Sequence, residues 1–191
     1  MVDTSEQTLV NKDVGEDKGM RIEDTSKELR AERAYSLAYE YEQRFHSCPQ
    51  CVYAALQEVL GIADDATFKA AHTLGGGGAR TTAGTCGALV GGMLAIGSIW
   101  GRDKQHFDGE SYEDSSRIGK RLFDRFVEEF GSPICGDVHV KLMGRRYDIW
   151  TELEQFEKAG AHTDKCPSVT GKTAKWAVEI ILEEQAKANT Q

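Results

Sequence analysis

The sequence has a deficit of positive charge and lacks a long apolar run. It carries 31 acidic residues against 23 basic ones among 191, which leaves a formal net charge of −8. Nonspecific binding to nucleic acid or to an anionic membrane needs a basic surface, so neither partner is expected. The longest apolar stretch, 88–100, is shorter than the roughly 20 residues that cross a bilayer. We therefore expect no membrane insertion.

The first twenty residues have almost no large apolar side chains, so the h-region of a secretory signal is absent there. Their polar composition predicts an arm, 1–20, that is mobile or docks on another surface. The remainder, 21–191, is long enough for a single domain. The sequence predicts a cytoplasmic protein, and in that reducing compartment clustered cysteines more often bind metal or perform redox chemistry than form structural bridges.

Strand signals are absent as well, because no run alternates strictly between apolar and polar residues over more than four positions. Helical spacing is frequent, and the segment 86–100 is apolar on all sides, which predicts a buried, Gly/Ala-rich central helix. The expected fold is all-α, a compact multi-helix domain with a polar N-terminal arm. The predicted helices run from about 24–26 to about 46, and over 48–60, 65–73, 86–100, 114–130, 151–159 and roughly 168–188. The segment from 135 to 150 is predicted to be either helical or irregular.

Cysteine is present in an odd number, five, which excludes a fully paired intramolecular disulfide framework. Cys48, Cys86 and Cys166 each immediately precede a predicted helix, and Cys135 follows a proline-containing turn. A helix N-terminus presents free N–H groups and about half a positive charge, so a thiol there should have a pKa below its usual ~8.5. Four such thiols could converge on one iron–sulfur centre, whose negative charge the helix N–H groups would offset.

Other interpretations of the cysteines stay open. A free cysteine is often only a small buried hydrophobe. Cys48 and Cys51 form a C-x-x-C at a helix start, as redox dithiols do, but no βαβ pattern surrounds them. Val52 in place of histidine excludes a c-type haem attachment, and a zinc site would normally show two close pairs. His46 and His139 lie near cysteines in sequence and are candidate ligands or proton partners.

The glycine run 75–78 resembles a phosphate cradle, but it lacks the Lys-Ser/Thr of a P-loop and no strand precedes it. We expect these glycines to let the backbone pass close to the cysteine centre. Arg80 and Thr85 would supply donors there, and Thr85 is also a candidate cap of the central helix. The candidate cofactor-binding residues beside Cys86 are Gly84, Thr85, Gly87 and Ala88.

Several motifs occur together in one order along the chain. They are 47–56 (SCPQCVYAAL), 75–80 (GGGGAR), 84–91 (GTCGALVG), the element from Phe126 to Cys135, and Cys166. In this combination, over about 30–183, the chain resembles the C-GCAxxG-C-C family of redox-active proteins. Related domains form the iron–sulfur part of split-Soret cytochromes.

The resemblance implies a helical, redox-active domain with an iron centre. The four cysteines of the family pattern fall on Cys48, Cys86, Cys135 and Cys166, which makes them the implied metal ligands. The chain departs from the pattern at Cys51, where the family usually has a small residue. Cys51 is therefore an auxiliary or alternate ligand, or a disulfide partner of Cys48.

Three functional hypotheses follow, and no catalytic residue is predicted. In the first, an iron–sulfur cluster, 2Fe–2S or 4Fe–4S, transfers electrons to or from a protein partner, for which the acidic charge favours a basic surface. In the second, Cys48 and Cys51 work as a metal-free dithiol. In the third, the chain is an accessory subunit of a larger redox complex or forms a homodimer.

Overall fold

The computed structural model describes residues 26–62, 64–109, 111 and 113–190. This part of the chain contains eight α-helices and no strand, which confirms the all-α prediction. Single turns of 3-10 helix cover Ala71–Leu74 and Lys104–His106, and a π-helical turn covers Ala161–Lys165. The predicted arm, 1–20, lies outside the described residues. The helices are α1 (Lys27–Phe45), α2 (Cys48–Leu60), α3 (Asp65–Ala70), α4 (Gly87–Trp100), α5 (Glu113–Phe130), α6 (Cys135–Met143), α7 (Leu153–Lys158) and α8 (Cys166–Ala188).

Local capping chemistry explains where the first two helices begin and end. The Ser26 hydroxyl accepts the N–H of Leu29 and caps α1, and His46 ends that helix in the left-handed conformation. Pro49 occupies the first turn of α2, where its missing N–H costs nothing, and left-handed Gly61 ends the helix. The cysteine-bearing turn of α2 therefore follows α1 with only two residues between them.

Helix α4 is central over its first half, where Gly87, Ala88 and Leu89 are buried between α2, α5 and α8. The prediction of burial on all sides is wrong for its second half, because Gly97 and Ser98 are exposed. A side chain at Gly91 would lie 2.5 Å from the Pro49 carbonyl oxygen, so glycine lets α4 approach the start of α2 this closely. The N-terminal turns of α2 and α4 are thereby held together.

Helices α1 and α8 pack along each other through small residues. The buried face of α1 consists of Ala31, Ala34, Ala38 and Glu42, which recur at helical spacing. Gly171 on α8 admits the ring of Tyr35 to about van der Waals contact. This close packing places Glu42, near the C-terminus of α1, inside the core beside the N-termini of α2 and α8.

A second, smaller core lies under α6 and α7. Tyr147, Ile149, Phe156 and Ala161 are buried there, with Cys166 packed against them. This cluster covers one side of the turn that leads into α8. Among the helices described, none combines the length and the apolar character needed to cross a bilayer.

Candidate redox site

Four of the five cysteines line one cavity of about 400 Å³. Each stands at the start of a different helix: Cys48 on α2, Cys86 before α4, Cys135 on α6 and Cys166 on α8. All are free thiols, and Cys48 is close enough to the other three to interact with them electrostatically. The structure thus brings the four predicted ligands together. It also shows that a helix, α6, begins at Cys135, which the sequence had left open.

The loops before α4 and α6 hold two of these cysteines in place. Thr85 and Ile134 form an isolated antiparallel bridge. The Cys86 N–H donates to the Pro133 carbonyl at 2.7 Å, and the Cys135 N–H donates to the Gly84 carbonyl at 2.9 Å. Because both cysteines are tied to the opposite loop by their own backbone, neither helix start can move independently of the other.

The glycine loop passes directly behind Cys135. Gly77 has a φ of +74°, and a side chain there would lie 2.9 Å from the Cys135 Cβ. Ala79, Arg80 and Thr82 also adopt positive φ, an unfavourable conformation for residues with a Cβ. The expectation that glycine brings the backbone close to the cysteines agrees with this geometry, and Arg80 lies on the cavity wall.

The candidate cofactor-binding residues beside Cys86 differ in position. Ala88 lines the cavity, whereas Gly84, Thr85 and Gly87 belong to its supporting layer. A side chain at Gly84 would meet the Gly77 carbonyl oxygen at 2.6 Å, and one at Gly87 would meet the Cys48 Sγ at 3.3 Å. The predicted cap at Thr85 is wrong: Cys86 is the N-cap of α4, because Thr85 is engaged in the bridge to Ile134.

Burial raises the pKa of all five thiols, which overturns the prediction of lowered values. For Cys86 the pKa rises to about 11, although the N–H groups of Ala88 and Leu89 act in the opposite direction. The helix N-terminus therefore stabilises the thiolate, as expected, but removal of the sulfur from water costs more. Because their pKa values are raised, the thiols that line the cavity are neutral near pH 7.

Cys51 is buried but does not line the cavity. Its thiol and that of Cys48 both interact with the carboxyl group of Glu42, which has no exposed surface. Neither oxygen of Glu42 has a hydrogen-bond partner of regular geometry. Burial raises the pKa of Glu42 to about 8, against the lowering effect of the two thiols. An uncompensated acid in this position is costly.

Glu42 was not singled out by the sequence analysis, although a signal was available. It continues the spacing of Ala31, Ala34 and Ala38, so an acid stands on the buried stripe of α1. The Nε2 atom of His162 lies 3.8 Å from the Oε1 atom of Glu42. The other ring nitrogen, Nδ1, lies 2.6 Å from a carboxylate oxygen of Glu157.

Both histidines proposed from the sequence lie on the cavity wall. His139 is almost fully buried, and its Nε2 lies 3.5 Å from the Cys135 Sγ, while its Nδ1 has no partner. Burial, followed by the charge of Arg146, lowers the pKa of His139 to about 4. The His46 ring packs against His162 with centroids 4.2 Å apart. At neutral pH, His139 is therefore a neutral neighbour of Cys135.

The donor set fits an iron–sulfur cluster in number and kind, since four cysteine sulfurs are the usual ligands of 2Fe–2S and 4Fe–4S centres. In the described part of the chain, no three His, Cys, Asp or Glu side chains are arranged to hold a single metal ion. The four thiols line a cavity wall and do not meet at one point.

Comparison with models of known protein families identifies the family of this chain. Residues 46–180 match the family model described as "Putative redox-active protein (C_GCAxxG_C_C)". The chain belongs to this family. The matched range contains all five cysteines and excludes Glu42. No curated protein and no solved structure matches the chain.

Proposed function

We propose that this member of the C_GCAxxG_C_C family binds an iron–sulfur cluster through Cys48, Cys86, Cys135 and Cys166 and exchanges electrons with a protein partner. The observation that carries the proposal is the single cavity lined by these four thiols, each from a different helix start. A bound cluster supplies reversible one-electron chemistry.

The residues around the cavity have distinct parts in this function. The N–H groups of Ala88 and Leu89 favour negative charge on the Cys86 sulfur. His139 lies within reach of the Cys135 sulfur, and the hydrophobic shell of Val138, Ile149 and Phe156 keeps bulk water away from the cavity. Such N–H groups and apolar walls are what proteins use to set the potential of a cluster.

A protein partner would approach the rim of the cavity. Phe45 and Leu153 both line the cavity and expose 60% and 43% of their surface. Exposed apolar side chains beside a redox centre are suited to transient docking, and the net charge of −8 favours a basic partner. Five free thiols also suit a reducing compartment such as the cytoplasm.

The test is anaerobic purification or reconstitution, followed by iron and acid-labile sulfide analysis and a visible spectrum. We expect iron, sulfide and broad charge-transfer absorption in the native protein and in Cys51→Ser, and their loss in Cys86→Ser and Cys135→Ser. Circular dichroism confirms that each variant keeps its helices. Native protein without iron and sulfide after reconstitution would refute the proposal.

A metal-free dithiol function is the second candidate, favoured by the contact of both Cys48 and Cys51 with Glu42. The same variants separate the two functions. In this case Cys51→Ser would abolish thiol–disulfide exchange with a protein substrate, while Cys135→Ser would retain it.

A further inference from the structure

Cys48 and Cys51 lie three residues apart in the first turn of α2 and therefore on one face of that helix. In a regular helix this spacing places the two Cα atoms about 5 Å apart, which is inside the range that a disulfide can bridge. The pair needs no movement between elements to be joined. Every other pairing among the five cysteines would link different helix starts.

The two thiols have different access to the cavity. Cys48 lines it, whereas Cys51 is 3% exposed and lies behind the wall. Both interact with the carboxyl group of Glu42, which has no other close partner of regular geometry. This shared contact keeps the two side chains on the same side of α2, with one sulfur facing the cavity and the other next to it.

The alternative partner of Cys48 is Cys86, and its surroundings differ. The Cys86 sulfur faces the N–H groups of Ala88 and Leu89 on its own helix. Its backbone is tied to Pro133 and not to α2. Cys51 lies in the same helical turn as Cys48 and shares its contact with Glu42, so it is the better-placed partner.

We propose that Cys48 and Cys51 form an oxidation site, in which a hydroperoxide entering the cavity converts the pair into a disulfide and removes Cys48 from the four-cysteine set. The loss of a cluster ligand rests on the function proposed above. Formation of the disulfide is independent of that function.

The chemistry needs only the peroxide as oxidant. The Cys48 thiol first loses its proton, and its thiolate sulfur attacks one peroxide oxygen. The O–O bond breaks, and the other oxygen takes up a proton and leaves, as water when the oxidant is hydrogen peroxide. The resulting sulfenic acid is attacked by the Cys51 sulfur. The S–O bond breaks, the S–S bond forms, and a second water carries away the Cys51 proton. Two thiols lose two electrons in total, and the peroxide gains them.

The sequence around the pair makes a direct test possible. Trypsin cleaves after Arg44 and Lys69, and the peptide 45–69 contains Cys48 and Cys51 and no other cysteine. The reduced, metal-free protein is treated with hydrogen peroxide, its remaining thiols are alkylated, and the digest is analysed by mass spectrometry. We expect this peptide without alkyl groups and about 2 Da lighter, for the two hydrogens lost.

Two variants provide matched controls. Cys166→Ser removes another thiol of the cavity wall and should leave formation of the disulfide unchanged. Cys51→Ser removes the second sulfur and should instead leave a sulfenic acid on Cys48 that a dimedone probe captures. A cross-link between peptide 45–69 and the peptide of Cys86, or a fully alkylated peptide 45–69, would overturn the proposal.

The effect on the centre is measured separately by reconstitution of oxidised and reduced protein. We expect the oxidised native protein to take up about tenfold less iron and sulfide than the reduced protein, and a thiol reductant to restore uptake. Equal uptake in both states would refute the loss of Cys48 from the centre. A disulfide in peptide 45–69 together with no iron in the reduced protein would support the oxidation site and refute the proposed cluster.

Discussion

Two buried glutamates, Glu42 and Glu184, have opposite surroundings. Glu184 lies near the C-terminus of α8, about 27 Å along the helix from Cys166. Its carboxylate accepts from Arg117 at 3.0 Å, Arg121 at 2.5 Å and Lys187 at 2.7 Å. Its hydrogen bonds, first to Lys187 and then to Arg117, lower its pKa to about 2. Glu42 has two thiols and a distant histidine around it, and burial raises its pKa to about 8.

The presence or absence of cationic partners decides whether each buried carboxylate stabilises the fold: Glu184 does and Glu42 does not. The charge of Glu184 is compensated by three cations and joins α5 to α8. Glu42 loses water and gains only the two thiols and no close cation, and burial outweighs the effect of the thiols, which is a net cost to folding. Polar groups kept at such a cost are typical of functional sites. We call the end of the molecule with the four cysteines and Glu42 the cysteine end, and we infer that it carries the function proposed above. We call the end around Glu184 the ion-paired end, where the paired carboxylate contributes to stability.

The largest expected effect comes from the backbone packing of the cysteine end. Gly91→Val places a side chain against the Pro49 carbonyl and the Val52 Cβ, which cannot move without shifting the start of α2. We expect a loss of about 3 kcal/mol in the free energy of unfolding, measured by urea denaturation of the reduced, metal-free protein. Unchanged stability would show that α2 and α4 are less tightly packed than the distances indicate.

The next effect concerns Glu42 and pH. Its pKa is about 8 in the folded state and about 4.3 in the unfolded chain, so native stability is fully present below pH ~4.3 and falls as pH rises through 8. Glu42→Gln removes this loss, which accumulates between pH ~4.3 and 8, and we expect the variant to be more stable than the native protein by about 2 kcal/mol near pH 9 and equal to it near pH 4. The groups facing Glu42 are Cys48, Cys51 and His162, with Glu157 behind the histidine.

Urea denaturation of the metal-free protein at a series of pH values provides the measurement. If the free energy of unfolding changed with pH in the same way in the native protein and in Glu42→Gln, the raised pKa of Glu42 would be contradicted. Thiols are kept reduced throughout, so that formation of a disulfide does not contribute.

The third effect concerns Glu184 and has the opposite sign. Its folded pKa of about 2 lies below the unfolded value of about 4.3, so its contribution is present above pH ~4.3 and is lost as pH falls toward 2. Because its partners are partly exposed, we expect Glu184→Gln to lose only about 1 to 2 kcal/mol at neutral pH. The difference from the native protein should shrink in acid and in high salt, and a variant as stable as the native protein at pH 7 would contradict this account.

The smallest effect is a gain at Gly97, in the exposed half of α4. A side chain there meets nothing within 4 Å. Gly97→Ala should raise the free energy of unfolding by about 0.5 to 1 kcal/mol, since alanine loses less backbone entropy in a helix. It is the matched control for Gly91→Val, and a loss of stability would contradict the exposed position of this turn.

The local features of the fold could be predicted from single residues. Pro49 and Gly61 mark the ends of α2, and the spacing from Ile118 to Phe130 marks the buried face of α5. These signals depend on neighbours within one or two turns. The burial of α4 was only partly predicted, because its apolar composition does not reveal that Gly97 and Ser98 are exposed.

The sequence predicted the cysteines of the site but not the residues that surround them. The cysteines could be recognised by their positions before helices, but Glu42 lies on a different helix and outside the family motif. The direction of the thiol pKa shifts was also wrong, because burial is a property of the packed chain and outweighs the helix N-terminus.

The sequence by itself determined the helical class, the helix starts next to Cys48, Cys86 and Cys166, and the family, because caps, proline, glycine and motif order are local properties of the chain. Only the tertiary structure decided that four thiols share one cavity, that Cys51 lies behind it, and that Glu42 is left without a cation. These facts depend on how α1, α2, α4, α6 and α8 pack, and hydrophobic packing joins residues far apart in sequence that no short motif relates.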